Sequence, residues 1–567
     1  MQHAVSDLTR TWTREIAIAL LLVVFSSLLV FPNLGKTCLW EDEAQTAVVA
    51  GNILETGLPA ASVGKNFVSI LADHSDIRNN IYVWQPWLPN YLAAGSMAIF
   101  GKNSFGARFP FALAFVILIP CCYVFFKKFD AYSNRQTLIT AILLAGCVPL
   151  LLHSRQCRYY MLVPLLNVLI VDEYIRLTAR PRLKHIVIIT IWATALFNSF
   201  PPGAILLGLA IVLDLLRRKP DRKIVWLASA GFLLCLLVNL PVFMYCKMWD
   251  RQFGVQPGYS SLHVFGMYLL RYVVTINNYV FPLVIIIVAG LFNLRRIAVF
   301  SWNKINDETM LFIIICVTQV VGFSMLSDYP FTRYLIGVIP FVMFFGAGAI
   351  LSISGTRQWL AWIIVFIIVF TNGTNLVPLF FLRTSDLKNT PWSTAGIDDR
   401  LLGTENVGYN LARGEVGELI RMKHGYPLPE YINSIANPPK GPIDMIVSYL
   451  KQEATPNDRV KISYEDLPLM FHTDQFITSS TEVGPPAPEW LIYRHFNPME
   501  EDPDFVRITG KYHYSEIELP VGDVQWNNQP DPLYHFNTTP TNERVPYVRI
   551  LKRIDSAARS WQQYTVN

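Results

Sequence analysis

Long apolar segments recur along the first two-thirds of the chain, and they predict helices that cross a membrane. Asp, Glu, Lys and Arg are absent from residues 16–35, 224–246, 272–294, 334–356 and 358–382. Each run reaches the roughly 18 residues typical of a membrane-spanning helix. With shorter apolar runs they predict about eleven spans, at residues 16–31, 109–126, 137–152, 159–175, 184–200, 203–217, 223–246, 272–294, 309–327, 334–354 and 358–382.

The pattern changes after residue 383, where apolar and polar residues alternate over shorter distances. Residues 459–463 and 545–550 alternate as half-buried strands do, and residues 443–452 have the pattern of a helix. The second run contains a proline that cannot donate a ladder hydrogen bond, so its strand is predicted at a sheet edge. The sequence therefore predicts a polytopic α-helical membrane module over residues 1–383 and a C-terminal α/β domain over residues 384–567.

The distribution of charge supports this division. Charged residues make up 16% of the sequence, against about 25% in a typical soluble protein. The deficit argues against a soluble enzyme, a nucleic-acid-binding protein and a disordered scaffold. Residues 384–567 carry 17 basic and 25 acidic residues, which leaves 30 basic and 17 acidic residues before them. The net charge of +5 thus combines a basic module with an acidic tail, and it does not indicate a nucleic-acid partner.

The basic residues between the predicted spans set the expected orientation. Loops that face the cytoplasm are rich in Lys and Arg. With the N-terminus inside, the predicted cytoplasmic connections are all basic, and they lie at residues 127–135, 176–184, 217–223, 295–304 and Arg357. The protein is therefore predicted to be integral to the cytoplasmic (inner) membrane, with the loop at residues 32–106 and the C-terminal domain outside.

Residues 84–100 are apolar enough to form a further span, but their context favours another position. A crossing there would invert every later basic loop. The segment also begins with several prolines and tryptophans, which suits a helix at the membrane interface. It is therefore predicted to lie flat on the outer membrane surface, with its aromatic side chains at headgroup depth.

An acidic cluster follows the first predicted span within a few residues of the membrane. It comprises Glu41, Asp42 and Glu43. One interpretation is a helix N-terminus, where carboxylates complement the helix dipole. The other is a general base beside a lipid-borne substrate, because an aspartate can accept the proton of an attacking hydroxyl. The cluster alone leaves both interpretations open.

Arginines on the predicted outer side form the second candidate feature. Arg155 and Arg158 lie between the third and fourth spans, and Arg333 precedes the tenth. Their position runs against the usual charge bias and indicates a partner at that surface. A phosphate fits, because guanidinium binds it through paired hydrogen bonds; the alternative is snorkelling, or pairing with nearby aspartates. Other basic residues predicted outside are Lys65, Arg78, Arg108, Arg251 and Arg271.

Together, the outer carboxylates and arginines suit the transfer of a group from a lipid phosphate. The leaving phosphate needs positive charge where its negative charge develops, and the acceptor hydroxyl needs a base. Because there is no ready supply of nucleotide sugars outside the cytoplasm, a lipid-linked sugar is the natural donor.

The order of these motifs resembles the membrane glycosyltransferases of the GT-C fold. The similarity is greatest to the branch of dolichyl-phosphate-mannose protein mannosyltransferases, bacterial aminoarabinose transferases and rhizobial lipopolysaccharide galacturonosyltransferases. The matching segments are Asp42-Glu43-Ala44, residues 85–91 (QPWLPNY), residues 100–110 (FGKNSFGARFP), residues 154–161 (SRQCRYYM) and Arg333-Tyr334-Leu335. The resemblance covers residues 1–383 and hardly extends into the tail.

The resemblance implies an inverting transfer of one sugar from a polyprenyl-phosphate carrier to an acceptor outside the cytoplasm. Asp42 would be the base, with Glu43 beside it. The residues implied to hold the donor phosphate are Arg155, Arg158, Tyr159 and Arg333, and those implied to bind substrate are Gln85, Trp87 and Tyr91. The acceptor, whether glycan, lipid or protein, and the sugar are not identified by the sequence.

Two points separate the chain from its relatives. Many members of the aminoarabinose branch carry a lysine before a pair of prolines, whereas this chain has Gln85 and the single Pro86. Some GT-C enzymes bind a divalent cation, but here Asp73, His74 and Asp76 form only a loose cluster. No metal ligands are therefore assigned, and a divalent cation stays open as a cofactor.

Three other functions remain as alternatives. An oligosaccharide ligase or polymerase would use the same outer site with a preassembled glycan. A secondary transporter would place ionisable residues near the bilayer midplane and show repeated halves, whereas the predicted spans are nearly free of charge. A scaffold whose tail binds a partner would leave the outer arginines without a role.

Overall fold

Among the described residues, helices predominate up to residue 384, and a mixed sheet follows in the C-terminal part. The computed structural model describes residues 2–71, 73–129, 133–248, 262–297, 306–326, 331–384, 416, 419–420, 422–478, 487–494, 503–523 and 546–554. Arg251 and most of the predicted basic loop at residues 295–304 lie outside the described residues.

The predicted apolar segments fold as helices. They are α1 (Gln2–Val30), α4 (Ser104–Lys127), α5 (Asn134–Ala145), α6 (Val148–Ser154), α7 (Leu162–Ala179), α8 (Leu183–Phe197), α9 (Pro201–Arg218), α10 (Arg222–Tyr245), α11 (Leu262–Thr275), α12 (Leu283–Ile297), α13 (Asp307–Leu326), α14 (Ile339–Ser354), α15 (Gln358–Phe370) and α16 (Gly373–Thr384). Among the described residues, five helices are long and apolar enough to cross a membrane, and up to eight spans result when each bent helix pair counts as one. The multi-pass architecture is confirmed, and the total of about eleven spans stays a prediction.

Three of the spans are bent within the described residues. α5 meets α6 at 55°, the π-helical end of α11 meets α12 at 92°, and α15 meets α16 at 80°. Pro149 stands in the first turn of α6, and Pro282 directly precedes α12. Proline favours the start of a helix and interrupts the helix before it, because it has no N–H to donate. Residues from all three breaks line one cleft.

Buried asparagines bind the backbone groups that these breaks expose. Asn277 accepts a hydrogen bond from the Leu283 N–H at 3.1 Å and donates to the Asn375 carbonyl at 2.9 Å. Asn278 donates to the Leu419 carbonyl at 2.8 Å. These amides are needed because a membrane interior offers no water to an unpaired backbone group.

The outer loop at residues 32–106 contains two helices and two short hairpins. The helices are α2 (Glu41–Thr56) and α3 (Leu88–Phe100), and the hairpins pair β1 (Ser62–Val63) with β2 (Asn66–Phe67) and β3 (Ile77–Arg78) with β4 (Ile81–Tyr82). α3 has 13 residues, which gives a length of roughly 20 Å, less than the bilayer core of about 30 Å. Its flat orientation on the outer membrane surface stays a prediction.

The described part of the C-terminal domain is a mixed sheet with flanking helices. The strands are β5 (Arg459–Ile462), β6 (Phe476–Thr478), β7 (Trp490–Tyr493), β8 (Tyr514–Gly522) and β9 (Tyr547–Arg553); the helices are α17 (Pro427–Ala436), α18 (Pro442–Glu453), α19 (Asp466–His472) and α20 (Pro503–Lys511). The strand order is β6-β5-β7-β9-β8, with β5 parallel to both neighbours and β9 antiparallel to both of its own. The predicted α/β domain, including its helix at residues 443–452, is confirmed.

The prediction that the strand near Pro546 lies at a sheet edge is wrong. β9 lies between β7 and β8. Pro546 precedes the first residue of β9, so its missing N–H is not needed in the ladder. Its carbonyl accepts a hydrogen bond from the Asp523 N–H at 2.8 Å. A proline one residue outside a strand therefore does not restrict that strand to an edge.

The C-terminal domain packs against the end of α1 and the outer loop. The Tyr431 hydroxyl donates to the Leu29 carbonyl at 2.7 Å. Asn66 accepts a hydrogen bond from the Ile477 N–H at 2.9 Å, which joins β2 to β6. These contacts place the domain over the segment that carries the acidic cluster.

Candidate active site

The acidic cluster forms the first turn of α2, where Asp42 and Glu43 can complement the helix dipole. Glu43 is fully buried and pairs with Arg108 through two hydrogen bonds of 2.8 and 2.7 Å. It also accepts a hydrogen bond from the Cys157 N–H at 2.8 Å. Glu43 therefore joins α2 to α4 and to the segment before α7, and its carboxylate is occupied by the scaffold beneath the site.

Asp42 is the partly exposed member of the cluster, and two arginines converge on it. Arg333 donates to Asp42 Oδ2 at 3.1 Å, and Arg158 Nη2 lies 3.7 Å from the same oxygen. The carboxylate side chain retains 27% exposure, whereas Arg158 and Arg333 retain 8% and 15%. The structure thus brings together three residues that lie far apart in the sequence, and each was predicted for the site.

Arg158 is held on α2 by several acceptors. Its Nη1 donates to the Asp42 carbonyl at 3.0 Å, to Gln45 Oε1 at 2.7 Å and to Thr46 Oγ1 at 3.3 Å. Burial lowers the pKa of Arg158, but Asp42 and the nearby tyrosines outweigh that effect and raise it. The guanidinium is therefore a fixed positive charge. Its Nε is buried without a hydrogen-bond partner among the described residues.

Aromatic rings form a wall beside the two arginines. The Arg333 guanidinium lies 4.1 Å from the centre of the Phe331 ring, a favourable cation–π distance. Tyr159, predicted for the site, stacks on Phe200 at 5.0 Å, and Phe200 stacks on Tyr334 at 5.7 Å. Sequence reasoning missed Phe200. Its signal is an aromatic residue directly before a helix at the predicted outer surface.

The remaining predicted residues occupy different positions. Arg155 donates to the Val30 and Pro32 carbonyls at the end of α1. These hydrogen bonds direct its guanidinium to α1 and not to Asp42. Gln85 is buried against α2, with its Nε2 3.4 Å from Thr46 Oγ1, which Arg158 also contacts. It therefore lies next to the site.

The two aromatic residues predicted to bind substrate both lie at the N-terminal end of α3. Trp87 donates to the Tyr82 carbonyl at 2.7 Å. The Tyr91 hydroxyl donates to the Gly57 carbonyl at 3.1 Å. Gly57 follows the last residue of α2. This helix has 16 residues and is therefore roughly 24 Å long, and Asp42 lies at its opposite end. Tyr91 is not brought to Asp42.

The loop with the loose acidic cluster does not fit a metal ion. Asp76 is buried, and its two oxygens accept hydrogen bonds from Ser69 at 2.8 Å and from the Ile70 N–H at 2.9 Å. His74 Nδ1 lies 3.0 Å from the same serine hydroxyl. Across the described ranges, no group of three or more His, Cys, Asp or Glu side chains is arranged to hold a metal.

The assembled site offers a proton acceptor beside two fixed positive charges. Asp42 can receive a proton from a hydroxyl that approaches its exposed side. Arg158 and Arg333 can bind phosphate oxygens with charge-assisted hydrogen bonds. The aromatic wall gives an apolar surface for a lipid or sugar next to these charges.

Comparison with known proteins connects this geometry to one fold. The sequence profile of the dolichyl-phosphate-mannose-protein mannosyltransferase family matches residues 84–249. The structure is similar to ArnT from Cupriavidus metallidurans bound to undecaprenyl phosphate, with 13% identity and a TM-score of 0.53 over 97% of this chain and 99% of that chain. The same enzyme in the apo state gives 12% identity and a TM-score of 0.51 over 96% and 98%.

A third similar structure is the archaeal oligosaccharyltransferase AglB from Archaeoglobus fulgidus, in complex with an inhibitory peptide and a dolichol-phosphate. It shares 12% identity and a TM-score of 0.50 over 83% of this chain and 64% of that chain. A search of curated proteins finds no match. The ArnT similarity extends into the C-terminal domain, beyond the residues covered by the sequence motifs. The chain has the fold of the GT-C membrane glycosyltransferases, as its motifs predict.

Proposed function

We propose that the protein is a glycosyltransferase that moves a hexose or pentose from a polyprenyl-phosphate donor to an extracytoplasmic acceptor with inversion. The observation that carries the proposal is Asp42, whose carboxylate lies between Arg158 and Arg333. Similarity to an ArnT structure with undecaprenyl phosphate and to an AglB structure with dolichol-phosphate supports a lipid phosphate as the donor. The family profile supports a sugar as the transferred group.

The arginines would first bind the donor phosphate. In the structure they pair with Asp42, so a phosphate competes with that carboxylate for the same guanidinium groups. The phosphate then neutralises their charge and releases Asp42 Oδ2 for the acceptor. As the bond from the sugar C1 to the phosphate oxygen breaks, negative charge grows on the leaving phosphate, where the two guanidinium groups stabilise it.

The acceptor hydroxyl would attack C1 from the side opposite the leaving phosphate. Its oxygen forms the new bond to C1, and its proton passes to Asp42 Oδ2. Attack from that side inverts the configuration at C1. The products are the glycosylated acceptor and the polyprenyl phosphate, and all atoms and electrons are accounted for without a further reactant.

The acceptor's chemical class is left as a glycan, lipid or protein hydroxyl on the outer side of the inner membrane. The outward orientation is supported by the basic residues of the predicted cytoplasmic loops. The likeness to an oligosaccharyltransferase makes a ligase of preassembled glycans the second candidate. Mass spectrometry of the cell envelope with and without the protein distinguishes the two by the mass that is transferred.

Replacement of Asp42 by Asn tests the proposal. Asp42→Asn keeps the size of the side chain and removes the proton acceptor, so we expect the transferred mass to disappear from the envelope. The purified variant is expected to bind undecaprenyl phosphate at least as well as the wild type, because a competing negative charge is lost. Asp474→Asn, at an exposed aspartate of the C-terminal domain, is the matched control. Turnover by Asp42→Asn close to that of the control would overturn the proposal.

The divalent cation needs a separate experiment. The proposed transfer uses no metal, and the loop at residues 73–76 does not supply metal ligands. We expect activity to survive treatment with EDTA. Loss of activity that Mg²⁺ or Mn²⁺ restores would show that a cation takes part.

A further inference from the structure

The short connection between α1 and α2 is bound on two sides by different parts of the protein. On the side of the membrane module, Arg108 donates to the Thr37 carbonyl at 3.0 Å and to the Cys38 carbonyl at 2.9 Å. On the other side, side chains of the C-terminal domain accept hydrogen bonds from the N–H groups of the same segment. The carbonyls and the amides of this connection therefore depend on separate domains.

Two side chains of the C-terminal domain make the second set of bonds. Asp444, in the first turn of α18, accepts a hydrogen bond from the Cys38 N–H at 2.8 Å. His472, the last residue of α19, accepts one from the Leu39 N–H at 2.9 Å through Nε2. Each bond joins residues more than 400 positions apart in the chain.

The His472 bond requires a neutral imidazole, because a protonated Nε2 cannot accept a hydrogen bond. Burial, together with the positive charges of Arg108 and Lys451, lowers the pKa of His472 to about 3. The ring is therefore neutral at physiological pH. Leu39 is fully buried, so water cannot replace His472 as the acceptor, and a lost bond leaves an unpaired buried N–H.

The same domain also contacts the first turn of α2. Glu41, directly before Asp42, lies near the Leu467 N–H of α19, which opposes the rise in its pKa. Leu39 and Glu41 thus flank the start of α2, and both lie against one short helix of the C-terminal domain. A shift of that helix would be passed to Asp42 through three or fewer residues.

We propose that the C-terminal domain positions the base, with His472 and Asp444 as positioning residues that set Asp42 against Arg158 and Arg333. The proposal rests on the proposed function, in which Asp42 accepts the proton. It assigns the domain a direct part in the geometry of the site, separate from any selection of the acceptor. Displacements of about 1 Å in a catalytic group can lower a rate by about 100-fold.

Two variants of His472 and one control test this role. His472→Ala removes the acceptor, whereas the amide oxygen of His472→Gln can accept the same N–H. Asn66→Ala breaks another contact between the outer loop and the C-terminal domain, at β6, and leaves the Leu39 bond intact. The measurements are hydrogen exchange of the peptide containing Leu39, turnover, and binding of undecaprenyl phosphate, all on the full-length protein.

The proposal makes a distinct prediction for each variant. His472→Ala should speed exchange at Leu39 and lower turnover by about 10- to 100-fold, with undecaprenyl phosphate affinity within about twofold of the wild type. His472→Gln should restore slow exchange at Leu39 and most of the turnover. Asn66→Ala should match the wild type in its exchange at Leu39 and in its turnover.

Three results would overturn the positioning role. They are wild-type turnover in His472→Ala despite fast exchange, an equal loss in Asn66→Ala, and fast exchange at Leu39 in the wild type itself. The last measurement needs no variant, so it holds even where His472→Ala does not fold. Failure of the proposed function is distinguishable, because it appears as turnover in Asp42→Asn while the exchange results stand.

Discussion

Arg158 and Arg333 contact the same carboxylate, but their other contacts give them different roles. Arg158 also binds the backbone and side chains of α2, whereas Arg333 binds the Asp42 side chain and lies on an aromatic ring. Arg333→Lys should therefore raise the donor KM by about tenfold, since a charged hydrogen bond is worth about 1.5–3 kcal/mol, and leave the Tm unchanged. Arg158→Lys should lower both activity and Tm. Donor titrations and thermal unfolding check this, and equal Tm losses would contradict it.

Glu41 predicts a dependence of stability on pH. Its Oε2 is buried without a hydrogen-bond partner among the described residues. Burial and the neighbouring Asp466, Glu465 and Asp42 raise its pKa well above the ordinary value of 4.5, although the Leu467 N–H opposes them. The folded state therefore keeps a proton that the unfolded state releases, and stability falls as pH rises from 4.5 through the raised pKa.

Glu41→Gln removes this titration and keeps an oxygen that can accept the Leu467 N–H. We expect its Tm to approach that of the wild type at pH 5 and to exceed it increasingly toward pH 8. Glu453→Gln, on the exposed end of α18, is the control and should follow the wild type. A difference between Glu41→Gln and wild type that stays constant with pH would refute this account.

At the scale of elements, the broken spans depend on their buried asparagines. Asn277→Ala removes the acceptor of the Leu283 N–H and the donor to the Asn375 carbonyl. Unpaired buried groups cost about 1–3 kcal/mol each, so the variant should lower the Tm clearly. Asn437→Ala, at an exposed position after α17, is the control and should leave the Tm unchanged. Equal Tm values for the two variants would show that the asparagine does not support the break.

The sequence predicted the position of these spans but not their bends. Residues 272–294 and 358–382 are free of charge and read as continuous apolar helices. The structure divides both, at residues 281–282 and 371–372. The available signals were Pro282 and the asparagines at positions 277, 278, 372 and 375, which are costly in a membrane unless they bind an interrupted backbone. Periodicity alone does not weigh that cost.

The sequence also identified the reactive side chains of the site better than it identified which residues those side chains contact. Asp42, Arg158 and Arg333 were selected because charge is rare at that surface, and the structure brings them together. Glu43 and Arg155 share the same surface, but they bind Arg108 and the end of α1. Which of two adjacent carboxylates points outward depends on helix rotation, and that rotation is set by tertiary contacts absent from any local pattern.

At the scale of the whole molecule, the orientation in the membrane can be tested with paired cysteines. Gln452 lies on the exposed surface of the C-terminal domain, and Ala179 lies on the exposed end of α7 beside a predicted cytoplasmic loop. The two test variants are Gln452→Cys and Ala179→Cys. A membrane-impermeant maleimide should label the first in intact cells and the second only after the membrane is opened. The native cysteines are buried or half-buried, which limits background labelling. The reverse pattern would invert the topology.

The bond between Leu39 and His472 also has a consequence for biosynthesis. Asp42, Arg158 and Arg333 are all synthesised before the ribosome reaches residue 472, whereas the proposed positioning of Asp42 depends on the bond between Leu39 and His472. A chain that is truncated, or whose tail has not been exported and folded, therefore holds the residues of the site without the bond from Leu39 to His472. On the proposed positioning role, such a copy would consume the lipid-linked sugar more slowly than the mature protein does.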